Sequence, residues 1–144
     1  MAHTKTILVP IDFQEASLQA LAKARELGQQ LGLNVVLLHT YSIPVVVYPG
    51  FDPILTPGLP DEIASAAKKA LAQLAEANGG VETVLRSGDP ATEIIKVSEE
   101  LNPAMVVMGT HGRRGLSHLF LGSVAETVIR SCKVPVLTVR ASGN

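Results

Sequence analysis

The sequence has few of the features that cross-link a chain or bind it to nucleic acid. Its 144 residues include one cysteine, Cys132, so an internal disulfide is excluded. Tryptophan is absent and aromatic residues make up 3% of the chain, which removes the stacking surfaces typical of proteins that bind single strands. The formal net charge is −1, so we expect no basic surface for nucleic acid or for an anionic membrane.

The chain also lacks a long apolar stretch. No run reaches the roughly 20 residues that a membrane-spanning helix requires. Met1–Lys5 leads directly into a strand-like segment without a recognisable signal peptide. Hydrophobic residues make up 47% and charged residues 17% of the chain, a balance that argues against disorder. We therefore expect a cytoplasmic protein with a single folded domain over residues 1–144.

Short apolar runs alternate along the chain with longer segments of helical period. The runs predict strands at 6–11, 35–39, 81–86, 104–108 and 134–139. Apolar stripes predict helices at 15–31, 61–77, 90–101 and 123–132. This alternation predicts an α/β fold, a single Rossmann-like open sheet of five parallel strands with helices on both faces. Ligands of such sheets bind beyond the carboxyl ends of the strands, where the strand order reverses.

The segment at 43–60 differs from the rest of the chain. Five prolines and two glycines interrupt it, and proline at that density forbids a continuous helix or a central strand. We expect a long loop across one end of the sheet. Loops of this length are often functional, and the sequence leaves a functional role and a mere connection equally open.

Two aspartates occupy positions where helices are expected to begin. Asp89 precedes Pro90, which predicts an N-cap followed by proline at the first helical position. Asp12 ends the sequence Pro10-Ile11-Asp12 after the first strand. It can cap the next helix or accept hydrogen bonds from a ligand, and the sequence leaves both roles open.

A glycine-rich loop follows the fourth strand. It runs Gly-Thr-His-Gly-Arg-Arg-Gly over 109–115, and Gly122-Ser123 then opens a helix. Glycines let backbone N–H groups approach a ligand closely, and a helix N-terminus favours phosphate. The Ser123 hydroxyl can add a contact to a phosphate oxygen or its metal ion, or it can simply cap the helix. Arg113 can clamp phosphates or remain a solvated charge.

Other ligand motifs are missing. The sequence has no G-x-x-x-x-G-K-[ST] and no G-x-G-x-x-G after the first strand, so neither a P-loop nor a conventional dinucleotide site is expected. His111 and His118 could pair on a metal, but no cysteine or carboxylate stands at a matching spacing. We therefore expect no metal site formed by the protein alone.

The glycine spacing carries a resemblance to a known family. Gly109-x2-Gly112-x9-Gly122-Ser123 matches G-x2-G-x9-G-[ST], the signature of ATP-binding universal stress proteins. The chain resembles that family over its full length, also at Val9–Asp12, Leu37–Thr40, Ser87–Pro90 and Val134–Leu137. It departs at Gln14, where many relatives have Ser or Thr near the start of the first helix, which weakens the expected cap.

The resemblance implies a strand order of 3-2-1-4-5, with ATP and Mg²⁺ bound between strands one and four. Pro10 and Asp12 would border the adenosine, the backbone at Thr40 would flank adenine, and Met108 and Gly109 would lie along the ribose. The phosphates would lie against Gly112 in the glycine loop and against the helix start at 122–124. The expected ATP-binding residues are Pro10, Ile11, Asp12, Thr40, Met108, Gly109, Gly112, Arg113, Gly122, Ser123 and Val124.

The same resemblance implies a nucleotide-loaded binding protein in stress signalling, without catalytic residues. It implies a homodimer that pairs through the strand at 134–140, and a further protein partner that the sequence does not identify. Two alternatives stay open: a slow ATPase or phosphotransferase, and a family member that binds no nucleotide and acts through protein contacts. No carboxylate or lysine at a recognisable spacing supports dedicated catalysis.

Overall fold

Strands and helices alternate along the described chain. The computed structural model describes residues 5–110 and 121–141. Their elements are β1 (Thr6–Ile11), α1 (Glu15–Leu31), β2 (Asn34–Tyr41), α2 (Leu59–Ala77), β3 (Glu82–Ser87), α3 (Pro90–Leu101), β4 (Met105–Gly109), α4 (Ser123–Ser131) and β5 (Val136–Val139). No helix within these residues is long and apolar enough to cross a membrane.

The strands form one parallel sheet in the order β3-β2-β1-β4-β5. This confirms the predicted fold and the predicted strand order. The order reverses at β1, which pairs with β2 on one side and with β4 on the other. The reversal opens a crevice at the carboxyl ends of β1 and β4, where ligands of such sheets bind.

The sheet is covered on both faces because successive strand residues point to opposite sides. Val9 belongs to a core formed with α1 and α2, and its neighbour Leu8 to a second core formed with α3 and α4. Both side chains are completely buried. The continuous apolar sequence of β1 follows from this burial on two faces.

Several element boundaries differ from the sequence-based prediction. Helix α2 begins at Leu59 rather than at 61, because Pro60 fits the first turn, where no backbone N–H is needed. Strand β5 begins at Val136 rather than at 134. The segment at 43–60 is a loop up to residue 58, and an antiparallel bridge between Val46 and Ile54 crosses it.

The predicted cap of α3 is confirmed. The Asp89 side chain accepts a hydrogen bond from the Thr92 backbone N–H at 3.1 Å and another from the Thr92 hydroxyl at 2.8 Å. Pro90 occupies the first turn. These two bonds lower the pKa of the Asp89 carboxyl below its ordinary value, the backbone bond most strongly, because both favour the charged form.

Candidate functional site

A pocket of about 190 Å³ lies at the carboxyl edge of the sheet, at the reversal of strand order. It is bounded by the ends of β1, β2 and β4 and by the first turns of α3 and α4. The described residues that line it are Pro10, Ile11, Asp12, Ser17, Leu38, Thr40, Pro90, Ile94, Met108, Gly109, Leu121, Gly122, Ser123, Val124 and Ala125.

Nine of the eleven residues expected to bind ATP line this pocket; they come from four separate parts of the chain. The other two, Gly112 and Arg113, lie outside the described residues, as do His111 and His118. The structure therefore brings together every expected site residue that it describes. Which ligand they bind stays a prediction.

The carboxylate of Asp12 is held at one of its oxygens. Its Oδ1 accepts from the Gln14 backbone N–H at 2.9 Å and from the Ser17 hydroxyl at 2.7 Å. Within the described residues no donor meets Oδ2. The N-cap of α1 is Gln14, whose side chain makes no capping bond. Asp12 is therefore not the helix cap; it stabilises the turn with one oxygen, and its second oxygen can accept a hydrogen bond from a ligand.

Gly109 ends β4 where the strand touches α1. A Cβ at this position would lie 2.5 Å from the Ala16 carbonyl carbon and 2.7 Å from the Ser17 nitrogen. Those atoms are backbone, so a larger residue could not be accommodated by rotating a side chain. The first glycine of the signature is thus required for packing, independently of any ligand.

The start of α4 forms another wall of the pocket. Gly122 is its N-cap with φ +92° and ψ 146° and makes no side-chain cap, a conformation that favours glycine. Ser123 is the first helical residue and is exposed, so the alternative role of Ser123 as a helix cap is wrong. Because the N-cap residue contributes no capping side chain, the first turn of α4 presents backbone N–H groups and the positive end of the helix dipole. This wall can receive an anion.

A third wall is apolar. Leu38, Ile94 and Met108 are buried side chains from β2, α3 and β4, and Val124 adds to them. Among the described lining residues Asp12 alone is charged. The pocket therefore offers an apolar surface for a flat ring system, one carboxylate, and a helix N-terminus for an anionic group.

Sequence reasoning missed six lining residues: Ser17, Leu38, Pro90, Ile94, Leu121 and Ala125. Leu38, Ile94 and Ala125 carried a signal for burial, since they lie in the predicted strand at 35–39 and the predicted helices at 90–101 and 123–132. That signal cannot distinguish a residue that fills the core from one that borders a pocket. Ser17 had one weak signal, a hydroxyl on the apolar face of α1.

No metal-binding cluster accompanies the pocket: no three His, Cys, Asp or Glu side chains cluster within the described ranges.

The sequence model of the universal stress protein family matches residues 3–140. Universal stress protein MJ0531 of Methanocaldococcus jannaschii is 32% identical over 139 residues, which cover 94% of this chain and 82% of that protein. The chain spans 45% of the length of further universal stress proteins from Mycobacterium.

Solved structures agree with the fold. The structure of MJ0577, also a universal stress protein of Methanocaldococcus jannaschii, superposes with a TM-score of 0.77 at 25% identity over 99% of both chains. A universal stress protein in complex with cAMP superposes with a TM-score of 0.60 at 23% identity, covering 96% of this chain and 98% of that one.

Proposed function

Because the chain belongs to the universal stress protein family, we propose that it binds ATP with Mg²⁺ in the pocket between β1 and β4. In this proposal the protein is a nucleotide-loaded binding module in stress signalling, located in the cytoplasm. Its output is contact with a protein partner, and ATP is its ligand rather than a substrate that it turns over rapidly.

One observation carries the proposal. The nine described residues that the family signature and its flanking motifs select are separated by up to 114 positions in sequence, from Pro10 to Val124, and all line the same pocket. They also supply different chemistry at different walls. A nucleotide has an aromatic base, a hydroxylated sugar and an anionic tail, and the apolar wall, the Asp12 carboxylate and the α4 N-terminus support a role for each of these.

Each wall has a role in the proposed complex. The base packs against Leu38 and Ile94, backbone groups at Thr40 read its edge, and Met108 lies along the ribose. The free Oδ2 of Asp12 accepts from a ribose hydroxyl. The phosphates lie at the N-terminus of α4, where the backbone N–H groups of the first turn and the helix dipole favour negative charge. Mg²⁺ neutralises part of the phosphate charge, and the Ser123 hydroxyl is the protein group that can contact it.

Titration calorimetry with ATP, GTP and cAMP, each with Mg²⁺, tests the ligand class. We expect ATP to bind at least tenfold more tightly than GTP, which corresponds to about 1.4 kcal/mol. A pocket that reads a base edge through fixed polar groups rejects a base that leaves those groups unpaired. Equal or tighter binding of GTP would contradict the adenine assignment. Tighter binding of cAMP than of ATP would contradict the phosphate site at the N-terminus of α4.

The fate of the nucleotide separates a binding module from a slow enzyme. Nucleotide released from the purified protein by denaturation is identified by chromatography, before and after incubation with Mg²⁺. We expect ATP that remains triphosphate over hours. Steady conversion of added ATP to ADP would establish the ATPase alternative, and failure of every nucleotide to bind would favour a family member acting through protein contacts alone.

We also propose that the protein is a homodimer joined through the segment 134–140. Strand β5 pairs only with β4 among the described strands, so one of its edges is open. An open edge presents unpaired N–H and C=O groups that a second strand can satisfy. A two-fold contact between the β5 strands of two copies uses the same surface twice and ends the assembly there.

A further inference from the structure

The turn after β1 contains a backbone conformation that residues with a Cβ rarely adopt. Phe13 has φ +63°, in the left-handed region. It lies between Asp12, which lines the pocket, and Gln14, the N-cap of α1. Such a conformation is unfavourable for a bulky residue and persists only where surrounding contacts hold it. The contacts that hold Phe13 are therefore part of what positions Asp12.

His39, on β2, contacts this turn through one ring nitrogen and through a ring–ring contact with Phe13. Its Nδ1 lies 2.7 Å from the Ile11 carbonyl oxygen, and His39 and Ile11 are paired in the β1–β2 register. A carbonyl oxygen can only accept, so Nδ1 carries the proton and donates it. The Phe13 ring meets the His39 ring in a T-shaped contact, with centroids 4.7 Å apart and planes at 63°.

We propose that His39 is a positioning residue for the pocket, a role that rests on the proposed nucleotide function. It holds the residue before Asp12 by the Ile11 carbonyl and the residue after Asp12 by the Phe13 ring. With the backbone fixed on both sides, the Asp12 carboxylate keeps Oδ1 on Gln14 and Ser17 and presents Oδ2 to the ligand.

His39 acts in this proposal without touching the nucleotide. Neither His39 nor Phe13 is among the residues that line the pocket. Phe13 instead packs against the buried core between the sheet and helices α1 and α2, which holds its ring in place. An effect of His39 on nucleotide affinity would therefore pass through the position of Asp12.

Two substitutions of nearly equal shape isolate the hydrogen bond. His39→Asn keeps an N–H donor close to the position of Nδ1, and His39→Leu removes it while filling similar space. We expect His39→Leu to weaken ATP binding about tenfold, which corresponds to about 1.4 kcal/mol. We expect His39→Asn to remain within about threefold of the wild type, or about 0.65 kcal/mol. Equal ATP affinity in wild type and His39→Leu overturns the proposal.

A destabilised control separates positioning from a general loss of stability. Val35 lies on the same strand, is 7% exposed and is remote from the pocket. Val35→Ala should lower the unfolding midpoint while ATP affinity stays at the wild-type value. If Val35→Ala weakens ATP binding as much as His39→Leu at matched loss of stability, the effect is a general one and the assignment of His39 is wrong.

A measurement without ligand keeps the proposal independent of ATP binding. The Gln14 amide donates to Asp12 Oδ1, so its hydrogen exchange, followed by NMR, reports whether Asp12 is in place. We expect exchange about tenfold faster in His39→Leu and close to wild type in His39→Asn. If no nucleotide binds the wild type, the proposed function fails, while this measurement still decides the role of His39; unchanged exchange in His39→Leu overturns it.

Discussion

Gly109 and Ala16 approach so closely that a Cβ on Gly109 would lie 2.5 Å from the Ala16 carbonyl carbon. The end of β4 therefore meets the first turn of α1 backbone against backbone. The family signature begins with this glycine, and the resemblance assigns it to the ribose. The structure gives it a second and independent reason to be glycine, because any side chain would push α1 away from the sheet.

Gly109→Ala should destabilise the protein by about 1–3 kcal/mol, the usual cost of forcing extra atoms into a packed interior. Urea denaturation of both proteins gives the difference in free energy of unfolding. The clash involves backbone atoms of Ala16, so Ala16→Gly should not relieve it, and a double-mutant cycle of the two substitutions should give coupling near zero. Recovery of stability in the double variant would show that the Ala16 side chain, rather than the backbone, is the obstacle.

Gly122→Val should abolish ATP binding while leaving a folded protein. Gly122 has φ +92° at the start of α4, and a β-branched residue there is strained by about 1–3 kcal/mol and projects toward the expected phosphates. Calorimetry measures ATP binding, and circular dichroism checks the fold. Gly50→Val is the matched control, since Gly50 has φ +83° in the exposed loop with no atom near its Cβ position. Unchanged ATP affinity in folded Gly122→Val would move the phosphate site elsewhere.

The contribution of Asp89 to stability should depend on pH. Its folded-state pKa is lowered by the two bonds from Thr92, so its charged form stabilises the folded state at pH values above the unfolded pKa of about 3.9. That contribution disappears as the pH falls through the lowered folded-state pKa. The difference in free energy of unfolding between wild type and Asp89→Ala should therefore be constant from about pH 7 to 5 and shrink below about pH 4.

Urea denaturation at a series of pH values measures this difference. Asp52→Ala removes one aspartate from the exposed loop and controls for the change in net charge. A difference between wild type and Asp89→Ala that grows as the pH falls would contradict the cap as the source of the effect.

Strand β5 suggests a sharp test of the homodimer. The carbonyl oxygens of Pro135 and Val139 accept hydrogen bonds from the backbone N–H groups of Val106 in β4 and of Thr110, which follows β4. In a parallel strand the backbone groups of alternate residues point to opposite sides, so Thr138 directs its N–H toward the open edge. Thr138→Pro removes that donor without cutting the β4–β5 ladder, whereas proline at Leu137 would disrupt the ladder itself.

We expect wild type and Thr138→Val to sediment as dimers at micromolar concentration and Thr138→Pro to sediment as a monomer. Thr138→Val keeps the backbone N–H and the branched shape, so it controls for the loss of the hydroxyl. A wild-type mass of one chain would contradict the dimer, and a dimer that persists in Thr138→Pro would place the interface on another surface.

The secondary structure was predictable because its signals are local. A strand covered on both faces must be apolar at nearly every position, as in 6–11, and a helix such as 15–31 must be apolar along one stripe. The predicted α1 and β1 therefore agree with the structure to the residue. Predicted boundaries differ from the structure where local signals compete: the proline density predicts a loop that ends at Pro60, but proline is equally suited to the first turn of a helix.

The residues that line the pocket were predictable as a set and not as an arrangement. The glycine spacing and the ends of the strands selected Asp12, Thr40 and Ser123, because parallel topology brings the carboxyl ends of strands together at one edge. The sequence left open whether Asp12 is a cap or a ligand-binding group. The answer depends on Ser17 and Gln14, whose bonds to Asp12 exist only once the turn has formed.

The sequence by itself determined the order of elements, the two-sided burial of the sheet and the edge at which a site belongs, since periodicity and parallel topology follow from neighbouring residues. Tertiary structure decided that Gly109 must be small, that Ile94 and Leu38 border a pocket, and that His39 holds the turn beside Asp12. The physical reason is the same in each case: the partner atoms lie far away in the chain, and only the packed fold brings them within contact distance.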